Sequence, residues 1–244
     1  MPTLTIDTSD GAIGLPFAPV PTGAEGAAVL LLPAIAGVND YIRRVSKRLN
    51  DVGYAVLTLD YYAREGAPPD VTTPDRIGAA VAALSDARVM SDAARAIDAL
   101  RRQPDIDPER VGALGFCIGG MYAFLAGCEP WAPKASVDYY GAVRYDRSTT
   151  EKPHAPLDKV RELRSSLLGH FGTYDRLIAA ADLDEFEHAL QAAGKSYELF
   201  RYRGAPHAFD EDFRPAVFRP VAAQLAWQRT IAFLEWHLRG IAPR

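Results

Sequence analysis

The chain has 244 residues, of which 48% are hydrophobic and 24% are charged, and its formal net charge is −4. This composition is typical of globular proteins, and the length suits one α/β domain, so we expect residues 1–244 to form a single domain. The basic residues are scattered, no apolar run reaches the roughly 18 residues of a membrane span, and no secretory signal is visible. We therefore predict a cytoplasmic protein without nucleic-acid or membrane partners.

Short apolar runs alternate with helical patterns, which predicts an α/β fold with a mostly parallel sheet and helices on both faces. The predicted strands cover residues 28–33, 54–60, 110–116, 134–141, 165–172 and 195–202. The predicted helices cover 41–53, 119–128, 180–194 and 221–238. A further helical span is predicted after the Pro/Gly/Asp-rich loop at 61–75, and residues 92–102 form the last part of that span. Such a sheet binds ligands at the carboxyl ends of its strands.

The stretch ALGFCIGG, residues 113–120, places Cys117 between Gly115 and Gly119, after a predicted strand and before a predicted helix. This is the thiol form of the G-x-S-x-G nucleophile elbow, in which a strained turn presents the nucleophile. A Cβ at either glycine would collide with neighbouring backbone, and the helix N-terminus favours a thiolate. The alternative is a buried structural cysteine, which would not need both glycines.

The elbow predicts that an acid and then a histidine follow the nucleophile in the chain. His207 lies in a Gly/Pro loop after a predicted strand and is the candidate base. Asp175 follows another predicted strand and is the candidate acid, although an aspartate there also suits a helix N-cap. Surface or structural roles are favoured for the remaining histidines: His154, His170, His188 and His237.

With these residues, the chain resembles the dienelactone hydrolase (carboxymethylenebutenolidase) family of the α/β-hydrolase fold. The resemblance covers nearly the whole chain and rests on PAIAGVND (33–40), GYAVLTLDYYAR (53–64), VGALGFCIGG (111–120), VDYYG (137–141), GTYD (172–175) and GAPHAF (204–209). The site residues that it implies are Cys117, Asp175 and His207 as a triad, Ile35 and Ile118 as the oxyanion hole, and Ala34, Tyr139, Phe209 and Glu211 as substrate-binding residues.

Two positions depart from the pattern of the family members that hydrolyse dienelactones. Ala34 stands where they have a glutamate that helps form the thiolate, and Glu211 stands where they have an arginine that grips the substrate carboxylate. We therefore expect a preference for neutral over carboxylate-bearing substrates. An arginine elsewhere could replace the missing one, but a solvated or ion-paired role is favoured for the three candidates: Arg76, Arg88 and Arg144.

The sequence thus predicts a cysteine hydrolase that cleaves a small-molecule ester or lactone through an acyl-enzyme intermediate. No His/Cys/Asp cluster has the spacing of metal ligands, so we expect neither a metal nor an organic cofactor. The alternative is a catalytically silent hydrolase-fold protein that binds a small ligand. A redox role for Cys117 would require Cys128, in the following helix, as its partner. The predicted oligomeric state is a monomer or a small homo-oligomer.

Overall fold

The computed structural model describes residues 2–145 and 147–242. Its centre is an eight-stranded sheet in the order β1-β2-β4-β3-β5-β6-β7-β8. The strands are β1 (Thr3–Thr8), β2 (Gly11–Ala18), β3 (Ala28–Leu32), β4 (Ala55–Thr58), β5 (Val111–Phe116), β6 (Ala135–Tyr139), β7 (Ser166–Gly172) and β8 (Tyr197–Tyr202). The β1–β2 and β2–β4 pairs are antiparallel and all the other pairs are parallel, which confirms the predicted mostly parallel sheet.

Helices connect the parallel strands. They are α1 (Asp40–Asp51), α2 (Pro74–Ala83), α3 (Asp86–Arg101), α4 (Ile118–Cys128), α5 (Pro156–Lys159), α6 (Ala180–Ala192) and α7 (Pro220–Leu234). A 3₁₀ turn (Val160–Glu162) follows α5, and a π-helical turn (Glu235–Arg239) extends α7. No helix in residues 2–145 and 147–242 has both the length and the apolar character needed to cross a membrane.

Two glycines of β5 show that helices cover both faces of the sheet. Gly112 and Gly115 point to opposite faces, because side chains alternate along a strand. A Cβ at Gly112 would lie 3.5 Å from Leu234 at the end of α7. A Cβ at Gly115 would overlap the carbonyl oxygen of Gly119 in the first turn of α4. Helices α7 and α4 therefore pack on opposite faces of the sheet.

The four central strands lie within the hydrophobic core. Every residue of β3, β4, β5 and β6 is buried. Strands that are covered on both faces appear in sequence as continuous apolar runs, which is why these strands could be predicted. Each fully buried Val, Leu or Ile side chain contributes about 1.5–3 kcal/mol relative to exposure. The core thus holds the strand ends rigidly in place for the site above them.

Two parts of the chain differ from the predicted elements. The hairpin of β1 and β2 was not predicted. The helical span expected after residue 75 is two helices, because Leu84 and Ser85 have the extended ψ angles 113° and 120°. Leu84 is buried, and its carbonyl oxygen accepts a hydrogen bond from Lys152 Nζ at 3.1 Å. This buried contact holds the chain out of the helical conformation between α2 and α3.

Candidate active site

Cys117 occupies the turn between β5 and α4. Its φ angle of 56° lies in the left-handed region, which is uncommon for any residue other than glycine. Its amide donates a hydrogen bond to the carbonyl oxygen of Tyr139 at 2.9 Å, which anchors the turn to the neighbouring strand. A Cβ at Gly119 would overlap the carbonyl oxygen of Leu32, and one at Gly115 would overlap Gly119 itself. The crowding that the two glycines were expected to relieve is therefore present.

Asp175 follows β7 and His207 follows β8, so both reach the edge of the sheet at which Cys117 stands. Asp175 Oδ2 lies 2.8 Å from His207 Nδ1, and the Asp175 side chain is only 1% exposed. The other carboxylate oxygen accepts hydrogen bonds from the amides of Leu177 at 2.8 Å and Ile178 at 3.2 Å. These amides fix the carboxylate, and the carboxylate fixes the imidazole ring. Asp175 does not cap α6, whose N-cap residue is Ala179.

Burial and the neighbouring side chains act on the pKa of His207 in opposite directions. Burial, the largest influence, would lower the pKa of His207, but the charge interaction with Cys117 and the hydrogen bond to Asp175 raise it to about 10. The Nε2 atom is buried and has no hydrogen-bond partner among the residues that the structure describes. The ring of Tyr140 packs edge-on against the imidazole, with the centroids 5.0 Å apart. This nitrogen is therefore available to exchange a proton at the site.

Two backbone amides are candidates for binding an oxyanion. Ile118 is the first residue of α4, so its N–H has no acceptor within the helix. Ile35 lies in the loop after β3, and no described residue of the protein accepts a hydrogen bond from its N–H. Both residues are 5% exposed. The helix N-terminus adds a partial positive charge beside Cys117, which favours an anion there.

A cavity of about 500 Å³ holds Cys117 and His207 in its wall. The wall is mostly apolar and includes Ala34, Ile35, Val71, Ile77, Leu177 and Phe213. Leu177 is 71% exposed and Phe213 is 52% exposed, so they stand at the rim. A space of this size and character suits a small, largely apolar ligand.

Glu211 and Arg214 supply the charged part of this wall. Arg214 Nη1 donates a hydrogen bond to Glu211 Oε2 at 2.8 Å, and the two side chains are 49% and 8% exposed respectively. The sequence did not single out Arg214, because it lies in an irregular loop where no periodicity indicates which way a side chain points. The other arginines considered are ion-paired outside the described cavity lining: Arg76 with Asp70, Arg88 with Glu65, and Arg144 with Asp182 and Glu185.

Two predicted substrate-binding residues lie elsewhere. The described lining of the cavity includes neither Tyr139 nor Phe209, and both are fully buried. The Tyr139 hydroxyl is 2.8 Å from Thr230 Oγ1 in the core. Tyr140 directly follows β6 and has a positive φ angle of 46°, so the side-chain alternation of that strand does not continue through it. Ala208 lies in the loop after β8 and has a positive φ angle of 60°. As a result, Tyr140 contacts His207 and Ala208 lines the cavity.

Cys128 is a structural thiol. It is buried at the far end of α4, and its sulfur donates to the carbonyl oxygen of Phe124 at 3.4 Å. Burial raises the pKa of Cys128 to about 12, which leaves it protonated at neutral pH. Both cysteines are free. They lie at opposite ends of α4, and an α-helix rises about 1.5 Å per residue. Within the described ranges, no group of three or more His, Cys, Asp or Glu side chains could hold a metal ion.

Comparisons with known proteins place the chain in a family. The model of the dienelactone hydrolase family matches residues 16–238. A Bradyrhizobium protein named "Probable 2-oxo-3-(5-oxofuran-2-ylidene)propanoate lactonase" is 42% identical over 91% of this chain and 88% of its own length. A Methylorubrum extorquens protein assigned as a carboxymethylenebutenolidase is 34% identical over 92% of this chain and 77% of its own.

Solved structures share the fold over almost the full chain. A Klebsiella pneumoniae protein assigned as a dienelactone hydrolase superposes with a TM-score of 0.87 at 28% identity, covering 95% of this chain and 96% of that one. The family match and the relatives at 42% and 34% identity go beyond a shared fold. The chain belongs to the dienelactone hydrolase family and is a carboxylic ester or lactone hydrolase with the α/β-hydrolase fold.

Proposed function

We propose that the protein hydrolyses a lactone or ester through a Cys117–His207–Asp175 triad and an acyl-enzyme intermediate. The observation that carries this proposal is the 2.8 Å bond between His207 and Asp175, beside a cavity wall that contains both His207 and Cys117. In an elbow of this kind, the nucleophile, the acid and the base act as one unit. Asp175 holds the ring orientation, and His207 stabilises the thiolate and transfers protons.

The reaction proceeds in two halves. In the first, the Cys117 thiolate attacks the acyl carbon, a C–S bond forms, and the carbonyl electron pair moves onto oxygen. The N–H groups of Ile35 and Ile118 stabilise this oxyanion. When the oxyanion collapses, the C–O bond breaks and the leaving alkoxide takes the proton of His207. In the second half, His207 takes a proton from water, the resulting hydroxide attacks the thioester, and the carboxylic acid and the thiolate are released.

Thiolate formation does not require the glutamate that Ala34 replaces. A free thiol with a pKa of about 8.5 is only a few per cent ionised at pH 7, so activation is necessary. Here the N-terminus of α4 and the imidazolium of His207 both favour the thiolate. Ala34 lines the cavity without a carboxylate, so position 34 contributes no negative charge that would oppose the thiolate.

In this proposal, Glu211 and Arg214 determine whether the enzyme prefers a neutral or a carboxylate-bearing substrate. The predicted preference for neutral substrates treats Glu211 as an unpaired negative charge. Its carboxylate instead lies 2.8 Å from Arg214, so the repulsion of a substrate carboxylate is largely cancelled. An arginine has five N–H donors, and in the described part of the chain the Arg214 guanidinium donates only to Glu211. Its other donors can bind a ligand.

We therefore propose that the substrate is a lactone that carries a carboxylate, and that Arg214 binds this carboxylate. The name of the Bradyrhizobium relative specifies a propanoate, which is an acid of this kind. The preference for neutral substrates stays a competing prediction that ranks the same substrates in the opposite order. A panel of p-nitrophenyl esters, neutral lactones and acidic lactones decides between the two rankings, with Cys117→Ala as the blank.

The same panel tests the alternative of a silent ligand-binding protein. A silent pocket would release no product from any substrate and would not need a reactive thiol. Turnover by the wild type that Cys117→Ala lacks would exclude this alternative. The single domain over 1–244, the cytoplasmic location, the lack of nucleic-acid partners and the monomeric or small oligomeric state stay predictions of the sequence.

A further inference from the structure

The loop after β3 is held by two tyrosines that play no part in the triad. Tyr61 Oη donates a hydrogen bond to the carbonyl oxygen of Pro33 at 3.0 Å. Tyr62 Oη donates to the carbonyl oxygen of Ile35 at 2.9 Å. Both tyrosines lie in the turn after β4, the strand that pairs with β3, and are 2% and 9% exposed respectively. The two bonds therefore join adjacent loops at the carboxyl edge of the sheet.

A third bond completes the set. The amide of Gly37 donates to the carbonyl oxygen of Ala34 at 2.9 Å, which closes a tight turn. Three successive carbonyls, those of Pro33, Ala34 and Ile35, are thus all hydrogen-bonded. The peptide unit between Ala34 and Ile35 is planar, so its C=O and N–H directions are fixed together. The bond from Gly37 sets that plane, and the two tyrosines hold the peptide planes on either side of it.

Both tyrosine hydroxyls stay protonated and can therefore donate these hydrogen bonds. Burial raises the pKa of Tyr62 to about 12 and that of Tyr61 well above its ordinary value, so both keep their protons at neutral pH. The backbone of Tyr62 and the ring of Tyr61 are also held in place. The amide of Tyr62 donates to Asp60 Oδ1 at 3.0 Å, and the ring of Tyr61 packs edge-on against Tyr122 with the centroids 5.8 Å apart. A Cβ at Gly37 would lie 3.1 Å from the Tyr62 ring, so the loop packs closely on this side chain.

We propose that Tyr61 and Tyr62 are positioning residues for the oxyanion hole. They aim the N–H of Ile35 at the place where negative charge develops in the tetrahedral intermediate, without touching the substrate. An oxyanion donor is effective only within about 0.5 Å of its working geometry, so a loop with this function must be rigid. The inference rests on the proposed function, because it assigns Ile35 its role.

Tyr62→Phe and Tyr61→Phe test the inference, with Tyr54→Phe as the matched control. Tyr54 is also fully buried, but its hydroxyl has no hydrogen-bond partner among the described residues. Losing a whole oxyanion donor typically costs about 10²–10³ in kcat, so a loosened donor should cost about tenfold. We expect Tyr62→Phe to lower kcat about tenfold with KM nearly unchanged, and Tyr54→Phe to keep both.

Two inhibitors separate a positioning role from a merely structural one. The Cys117 thiolate adds to the carbonyl carbon of a trifluoromethyl ketone and forms an oxyanion. The affinity of this inhibitor for Tyr62→Phe should therefore fall by the same factor as kcat. Iodoacetamide alkylation displaces iodide without forming an oxyanion, so its rate should match that of the wild type. The inference is overturned if kcat stays within twofold in both variants, or if alkylation slows as much as turnover. A wild type that is inactive on every ester and lactone would instead overturn the proposed function and this inference with it.

Discussion

The carboxylate of Asp175 is almost completely buried, yet it accepts three hydrogen bonds, one of them from His207 Nδ1 at 2.8 Å. A buried carboxylate is costly unless its oxygens are paired, and here the backbone and the imidazole satisfy them. The ring is thereby held with Nε2 turned away from the acid.

Asp175→Asn should therefore impair turnover while the fold remains. An amide can present its NH₂ group to Nδ1, which favours the wrong tautomer, and the corresponding change in a serine triad costs about 10⁴ in kcat. Because a thiol needs less help than an alcohol, we expect a loss of about 10²-fold or more here. Steady-state kinetics measure it, with Asp184→Asn as the control, since Asp184 is paired with Arg201 on the surface. A loss of similar size in both variants would contradict the assigned role.

The protonation of His207 should depend on Cys117. In the wild type the pKa of His207 is raised to about 10, so the imidazolium should persist above neutral pH and lose its proton as the pH rises through that value. Cys117→Ala removes the largest influence that raises this pKa and keeps the burial that lowers it, so the proton should leave at a lower pH. A titration of the His207 ring nitrogens by NMR measures both values. An unchanged pKa in Cys117→Ala would contradict the Cys–His pairing.

The glycines of the elbow should be essential for stability. A Cβ at Gly119 would overlap the carbonyl oxygen of Leu32, which belongs to a central strand and cannot move cheaply. We expect Gly119→Ala to lower the free energy of unfolding by several kcal/mol or to prevent folding, as overpacking of about 1–3 kcal/mol is common even where neighbours can shift. Gly78→Ala in α2 is the control, since nothing lies within 4 Å of its Cβ and alanine should stabilise the helix by about 0.5–1 kcal/mol. Urea unfolding that ranks the two variants equally would contradict this account.

Arg214→Gln should change the choice of substrate rather than the chemistry. Hydrogen bonds to charged groups are worth about 1.5–3 kcal/mol, so kcat/KM for a carboxylate-bearing lactone should fall about tenfold or more. For a neutral ester it should stay within about twofold. The double variant Glu211→Gln, Arg214→Gln leaves no buried unpaired carboxylate, and its kcat/KM values should change in the same way as those of Arg214→Gln. Arg203→Gln, an exposed arginine outside the described cavity lining, is the charge-matched control. A wild type that prefers every neutral substrate to the acidic lactones would contradict the role of Arg214.

The sequence predicted the parts of the molecule in which one strong constraint acts. Every residue of the four central strands is buried. Cys117, Asp175 and His207 follow β5, β7 and β8, in the chain order that an elbow requires. The β1–β2 hairpin was missed because β1 is mostly exposed, at the edge of the sheet, and therefore lacks a long apolar run.

Side-chain directions in the loops could not be predicted. Whether Tyr139 or Tyr140 faces the histidine depends on a positive φ angle at Tyr140, which no sequence pattern indicates for a tyrosine. The same holds for Ala208, which lines the cavity in place of Phe209. The contacts of Tyr61 and Tyr62 join loops that are distant in the chain, and the contact between Arg214 and Glu211 lies within one irregular loop, so these contacts emerge only from the fold.

Trapping the acyl-enzyme tests the central claim most directly. A slow substrate such as p-nitrophenyl acetate, quenched with acid after a few turnovers, should leave one acetyl group on the protein. Peptide mapping by mass spectrometry should locate it on Cys117, as a thioester that hydroxylamine removes, and Cys117→Ala should carry none. Cys128, whose pKa burial raises to about 12, serves as the internal control and should remain unmodified. An acetyl group on any other residue, or turnover by Cys117→Ala at the wild-type rate, would contradict the account.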